Sequence, residues 1–276
     1  MTDKPILMKG ETFKKYGHKV KYPVFVEAKY DGIRARIWVN SKGELQVESY
    51  ARKPLNNVPL HGLTQLFKDY KLTEIDVEFL VNSDFNSTYR YVRSKSVPTD
   101  LVDATFQFIL LDLPDHPSSY GEDKLTLFKE FYKYGVDTPI RYVAANEAEV
   151  MRVYSRFRSQ GLEGVMVKEI GYQYTRKRSR SWLKLKPEET HDGKIVALNR
   201  ATSIKGEPLN RVGSITVQLE DGSYASPAGL AHGLGEDMYD NPKAYVGRWV
   251  EFICMERDRA GGYRHPFFSR FREDKC

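Results

Sequence analysis

Cysteine is nearly absent. Two residues in 276, Cys254 and Cys276, cannot supply a disulfide framework or a recognisable metal motif, and a reducing compartment is the natural inference. Cys254 sits in an apolar strand-like run and reads as core. Long apolar runs are missing too, so no segment reaches membrane-spanning length, and Met1-Thr2-Asp3-Lys4-Pro5 opens without the basic and apolar blocks of a secretory signal. Internal repeats and low-complexity tracts are also lacking. These absences predict a soluble, cytoplasmic protein with no membrane partner. What is present is core material: 41% hydrophobic residues and 13% aromatics, with 18 Tyr and 14 Phe. That is enough for two ordinary domains. A net charge of +6 suits a polyanionic partner without requiring one.

The stretch Val26-Glu27-Ala28-Lys29-Tyr30-Asp31-Gly32-Ile33-Arg34-Ala35-Arg36 organises the chain. Val24 to Tyr30 and Ile33 to Asn40 read as paired strands around an Asp-Gly turn, with Glu44 to Ser49 as the third strand of a meander. Strand periodicity puts Glu27 and Lys29 on one face. Two readings fit: a solvated lysine before a hairpin turn, or an amine held at a strand end over a ligand. The lead-in before Lys29 is too short for a separate N-terminal domain, so substrate contacts are expected downstream.

Further along, Leu60, Leu63, Leu66, Phe67 and Tyr70 recur at helical spacing. In Glu74 to Val81, Asp76 and Glu78 share a strand face opposite Ile75, Val77 and Phe79, as in a solvated edge strand or a metal site. Residues 82–104 read as a loop with at most a helical turn. Phe106 to Leu113 reads as a buried strand. Leu125, Phe128, Phe131 and Tyr132 form a helix face closed by Gly135, and Asn146 with Glu149 makes a capping box for a second helix that stops at Gly161.

Glu163-Gly164-Val165-Met166-Val167-Lys168 is a short strand with charge at both ends. The densest basic tract follows: Arg176, Lys177, Arg178, Arg180, Lys184 and Lys186, interleaved with Tyr172, Tyr174 and Trp182. A solvated face and a phosphate-facing surface are the two readings, and the alternation that holds Lys184 and Lys186 in register favours phosphate. Pro187 to Gly193 is polar and turn-rich, and composition shifts after it. Short strands between glycine turns then predict a small β-barrel of the oligonucleotide-binding type. The basic end, Arg264 to Cys276, reads as a frayed tail on its own.

Taken in order, these segments resemble the motifs of the covalent nucleotidyltransferases, and among them the ATP-dependent DNA ligases. Lys29-Tyr30-Asp31-Gly32-Ile33-Arg34 resembles the first motif, whose lysine takes AMP as a phosphoramidate. Asp76-Val77-Glu78 resembles the third, with Val77 where glycine is usual. Phe106 to Asp112 resembles the adenine-stacking strand, with Leu111 at the usual aromatic position and Phe108 as a candidate substitute. Glu163 to Lys168 resembles the fourth motif, Leu183-Lys184-Leu185-Lys186 the fifth, and Arg270 to Lys275 the sixth. Trp182 to Pro187, His191-Asp192-Gly193 and Arg264-His265-Pro266 look most like the small ligases of tailed bacteriophages.

The resemblance implies an α+β protein: an antiparallel-sheet, ATP-grasp-like nucleotidyltransferase domain over 1–189, then an all-β OB-fold barrel over 190–276, joined by a hinge at 187–193. It implies Lys29 as nucleophile. Glu27, Arg34, Glu78, Phe108, Lys184, Lys186, Arg272 and Lys275 would bind the nucleotide. Asp76, Glu78 and Glu163 would hold Mg²⁺ or Mn²⁺, and Arg52, Arg176, Arg178 and Arg180 would contact DNA. ATP would donate AMP, the partner would be nicked double-stranded DNA, and the protein would act as a monomer. An RNA ligase, a GTP-using capping enzyme and a non-catalytic binding protein are the alternatives. The last would be expected to lack the lysine or the carboxylates.

Overall fold

The computed structural model describes residues 7–257 and 262–275; Cys276 lies outside them. The chain divides into two compact units, Met1–Lys186 and Pro187–Cys276.

The first unit runs β1 (Lys9–Thr12), α1 (Phe13–Tyr16), β2 (Val24–Lys29), β3 (Ile33–Val39), β4 (Leu45–Ser49), α2 (Thr64–Asp69), β5 (Glu74–Val81), α3 (Phe85–Arg93), β6 (Phe106–Asp112) and α4 (Glu122–Glu130). It continues through β7 (Val136–Asp137), β8 (Arg141–Ala144), α5 (Glu147–Ser159), β9 (Gly164–Glu169) and β10 (Arg178–Leu185). Two five-stranded sheets result, one ordered β1-β10-β9-β2-β8 and the other β4-β3-β5-β6-β7. Pairing is antiparallel apart from β1 with β10 and β6 with β7.

One core lies between the sheets. Phe25 and Trp182 from the first sheet, with Met8 just before β1, meet Ile37, Val77, Phe79 and Leu110 from the second, and Leu66, Phe67, Val92 and Phe128 of the helices extend it. A second core sits on the other face of the first sheet, where Val24, Val26, Val165, Val167 and Leu183 pack with Val150 and Phe157 of α5. Strand alternation explains the division: β2 sends Val24, Val26 and Ala28 one way and turns Glu27 the other.

The expected pairing of the first two strands does not occur. β2 pairs with β8 and β9, whereas β3 pairs with β4 and β5. Tyr30-Asp31-Gly32 therefore carries the chain from one sheet to the other and closes no hairpin. β5 lies at the centre of its sheet, which excludes the solvated-edge reading of Asp76 and Glu78. The 82–104 segment contains the nine-residue α3, N-capped by Asp84, whose carboxylate accepts the Ser87 N–H at 2.8 Å. The capping box at Asn146 forms, with the Asn146 side chain accepting the Glu149 N–H at 3.0 Å.

The second unit contains β11 (Glu189–Thr202), β12 (Pro208–Gln218), β13 (Tyr224–Ala225), α6 (His232–Asp240), β14 (Trp249–Arg257) and β15 (Tyr263–Phe271). Its strands form one antiparallel sheet, β13-β12-β11-β14-β15, around Ile195, Ile215, Val217, Val250 and Phe252. The sheet does not close as a hydrogen-bonded ring among the described residues; isolated bridges from Ala228 reach Ser214 and Phe267. The proposed hinge also shortens. Residues 189–193 already belong to β11, paired with β14, so only Lys186, Pro187 and Glu188 separate β10 from β11. No helix among the described residues is long and apolar enough to cross a membrane.

Candidate active site

Lys29 is the last residue of β2, and its register partner across β9 is Gly164. The antiparallel pairing therefore sets Glu163 beside Lys29. The ammonium donates to Glu163, and the Glu163 N–H donates to the Lys29 carbonyl at 3.2 Å. Glycine at 164 is a packing requirement, because a Cβ there would stand 2.2 Å from the Leu185 carbonyl oxygen. Gly32 is fixed for the same reason: a Cβ would lie 2.5 Å from the Phe79 carbonyl oxygen. The Gly32 N–H donates instead to Glu78 Oε1 at 3.1 Å.

Lys29, Gly32 and Glu78 wall a cavity of about 300 Å³, lined also by Lys9, Gly10, Glu27, Arg34, Tyr50, Leu111, Met166, Lys168, Trp182 and Lys184. Its charges are strongly coupled. Burial alone would lower the Lys29 pKa, but the charges of Glu163 and Glu78 outweigh it and hold Lys29 as an ammonium. Burial pushes the Glu78 carboxyl up to about 7; Lys29 opposes the shift and Glu163 reinforces it. Lys184, carried by β10 opposite Met166, is brought down to about 8 by burial and then by Lys186 and Lys29.

A buried ionic network backs the cavity. Glu27 accepts from Tyr120 Oη at 2.5 Å and Arg141 Nε at 2.7 Å, and pairs with Lys168 at 2.7 Å. Burial would raise its pKa, but Lys168 and Arg141 hold it below the ordinary value. Lys168 also donates to the Leu111 carbonyl at 3.0 Å and stands 4.2 Å from the Trp182 ring centre. Glu27 is thus an anchor as well as a wall residue, a role its place two residues before Lys29 does not reveal.

Several expected site residues stand elsewhere. Asp76 is fully buried and holds Arg34 bidentately, Nε to Oδ1 at 2.8 Å and Nη2 to Oδ2 at 2.5 Å, while Tyr174 Oη donates to Oδ2 at 2.7 Å. Both of its oxygens are engaged, so Asp76 positions Arg34. Phe108 is not at the cavity: it packs in the core with its ring centre 5.0 Å from that of Phe79. Leu111 lines the wall in its place, because alternation along β6 turns these two residues to opposite faces.

The basic tract is not one surface. Arg176 is drawn inward to Glu74 and to Asp115, the latter at 2.6 Å. Arg178 and Arg180 are exposed, Arg180 lying 4.5 Å from the Tyr16 ring centre, and Lys184 enters the cavity. Arg52 is exposed at φ +58°. Within the second unit, Arg272 Nη1 donates to Asp192 at 2.7 and 2.8 Å, and Lys275 pairs with Asp192 at 2.9 Å. The basic end is therefore ordered by carboxylates, which the frayed-tail reading does not allow.

Sequence reasoning did not foresee Lys9 and Gly10, which reach the cavity because β1 pairs with β10. No periodic pattern marks so short a strand. Lys168, Met166 and Trp182 carried a usable signal, since Met166 and Lys168 alternate on the strand that follows Glu163 and Trp182 alternates with Lys184 on β10.

No protein-family model matches the chain. A DNA ligase of Enterobacteria phage T3 is 26% identical over 317 residues, covering 90% of this chain and 89% of its own. Among solved structures, one from a study of Lig E DNA ligases superposes with a TM-score of 0.72 at 21% identity, over 99% of this chain and 100% of its own. The ATP-dependent DNA ligase of bacteriophage T7, solved with ATP, superposes at 0.54 and 22% identity over 97% and 98%. The motifs stand in family order, the lysine and glutamate of two of them are in contact, and the chain is similar over most of its length to the phage T3 DNA ligase and shares the fold of solved ATP-dependent DNA ligases.

Proposed function

We propose that the protein seals 5′-phosphate/3′-hydroxyl nicks in duplex DNA by passing AMP through Lys29. The observation that carries this reading is the placement of Lys29 at the floor of a cavity, against Glu163 and with Glu78, Arg34 and Lys184 around it.

Lys29 must lose a proton before it attacks, and Glu163 is the carboxylate on its Nζ. The neutral amine then forms an N–P bond to the α-phosphorus of ATP as the bond to pyrophosphate breaks. Lys184, with Lys186 next in register, offsets charge on the α-phosphate. Leu111 and Met166 would flank the base, and Arg34, held rigid by Asp76, would meet the ribose. In the second step a 5′-phosphate oxygen at the nick takes the AMP and Lys29 leaves with a proton. In the third, the 3′-hydroxyl attacks the 5′-phosphorus, the new phosphodiester forms, AMP departs and the hydroxyl proton is released. Arg272 and Lys275 would orient the pyrophosphate in the first step, and Arg52, Arg178 and Arg180 would contact backbone phosphates.

Glu78 and Glu163 fit a divalent cation, since Glu163 raises the cost of the Glu78 charge and both carry hard oxygen donors. Bound there, Mg²⁺ or Mn²⁺ would favour the ionised carboxylates, lower the Lys29 pKa and screen the phosphates.

The test is incubation with Mg²⁺ and α-labelled ATP or GTP, followed by nicked DNA or nicked RNA. Expected are ATP labelling of the wild type, none of Lys29→Ala, and release of label on nicked duplex DNA with a sealed product. Labelling by GTP alone would sink the reading, as would sealing confined to RNA.

A further inference from the structure

The second unit holds a set of donors that the ligation chemistry does not use. In the pairing of β11 with β14, Glu189 stands opposite Cys254 and His191 opposite Phe252, so Glu189, His191 and Cys254 share one face of the sheet. A carboxylate oxygen, an imidazole nitrogen and the Cys254 sulfur all lie within 4.8 Å of one another. Sequence spacing hides this set, because β11 and β14 lie far apart in the chain. Phe252 and Tyr263 press on the His191 ring, with centres 5.6 and 4.9 Å away, and Glu189 Oε2 stands 3.1 Å from its Nε2. The imidazole is therefore held in place. Cys254 is only 2% exposed and forms no disulfide.

Tetrahedral ligands at zinc bond lengths sit about 3 to 4 Å apart. The three donor atoms, all within 4.8 Å of one another, lie close to that span. Donor type then selects the ion: thiolate and imidazole suit Zn²⁺ and its borderline-soft relatives, whereas Mg²⁺ takes oxygen. The carboxylates beside Lys29 and this trio thus offer donors suited to different metals.

We propose that Glu189, His191 and Cys254 are the protein ligands of a Zn²⁺-class site, with the fourth position left to water. Glu189 is the first residue of β11, so the ion pins the start of that strand to β14. The proposal is independent of the ligase reading and stands or falls on metal binding alone.

Cobalt(II) is the probe, because it adopts the zinc geometry and reports thiolate ligation by a sulfur-to-cobalt charge-transfer band in the near ultraviolet. Titrated into reduced, chelator-stripped full-length protein, it should give that band, saturating at one equivalent and displaced by Zn²⁺. Cys276→Ser should keep the band and Cys254→Ser should lose it. His191→Ala should bind cobalt more weakly by at least the roughly tenfold that loss of even an outer partner costs. Circular dichroism of the metal-free variants checks folding, and if Cys254→Ser does not fold, His191→Ala decides. No band in the wild type, a band that survives Cys254→Ser, or undiminished affinity in His191→Ala would overturn the proposal.

Discussion

Glu78 carries the sharpest pH signature of any single residue in the site. Its carboxyl rises from an ordinary 4.5 to about 7 on folding, chiefly through burial. Ionising it therefore costs more in the folded protein than in the unfolded chain. Its contribution to stability falls as pH climbs from about 4.5 to about 7 and is level above that. Glu78→Gln keeps an acceptor for the Gly32 N–H and carries no charge. Without divalent cations, the melting-temperature difference between the two proteins should move in favour of the glutamine variant across that window and then stay constant. A difference independent of pH would remove the raised pKa. Residues of this kind are half legible in sequence. The motif resemblance pointed to Lys29, Glu163 and Lys184, but the burial that shifts Lys29, Glu78 and Lys184 belongs to the packed sheets.

At the level of elements, β6 makes the clearest distinction. Phe108 and Leu111 face opposite ways, one into the core and one into the cavity. Phe108→Ala is expected to destabilise the protein by about 3–5 kcal/mol, read by urea unfolding, and to leave the KM for ATP in lysine labelling unchanged at a permissive temperature. Leu111→Ala should do the reverse, raising that KM severalfold with a smaller loss of stability. Equal effects on KM would mean that the base does not lie against Leu111. The strands themselves were readable from alternation, but their partners were not. Asp-Gly between two apolar runs looks the same whether it closes a hairpin or carries the chain between sheets, since what decides is the distant β9. α3 escaped notice because its buried face is short, only Thr88, Tyr91 and Val92, and one of these is polar, although Asp84 with Ser87 supplied a capping signal.

For the whole molecule, the α+β then all-β order was legible, the first part through the motif resemblance and the second through short strands between glycine turns. Incomplete ring closure of the second sheet, and the reach of β11 back to Glu189, were not, because both depend on long-range pairing. The charge excess should act through backbone phosphates. Binding of a nicked duplex is expected to weaken linearly on a log–log salt plot, with Arg178→Ala and Arg180→Ala each reducing the slope by about one. Arg176→Ala should chiefly lower stability, because that side chain is committed to Glu74 and Asp115. An unchanged slope in both exposed-arginine variants would place the DNA surface elsewhere. The central claim is covalent, that one lysine carries the AMP, and peptide mass spectrometry after incubation with ATP and Mg²⁺ tests it most directly. The account predicts an adenylyl group on the peptide containing Lys29, retained in base and lost in acid as a phosphoramidate would be. AMP on Lys184, Lys186 or Lys168, or no adenylated peptide at all, would contradict it.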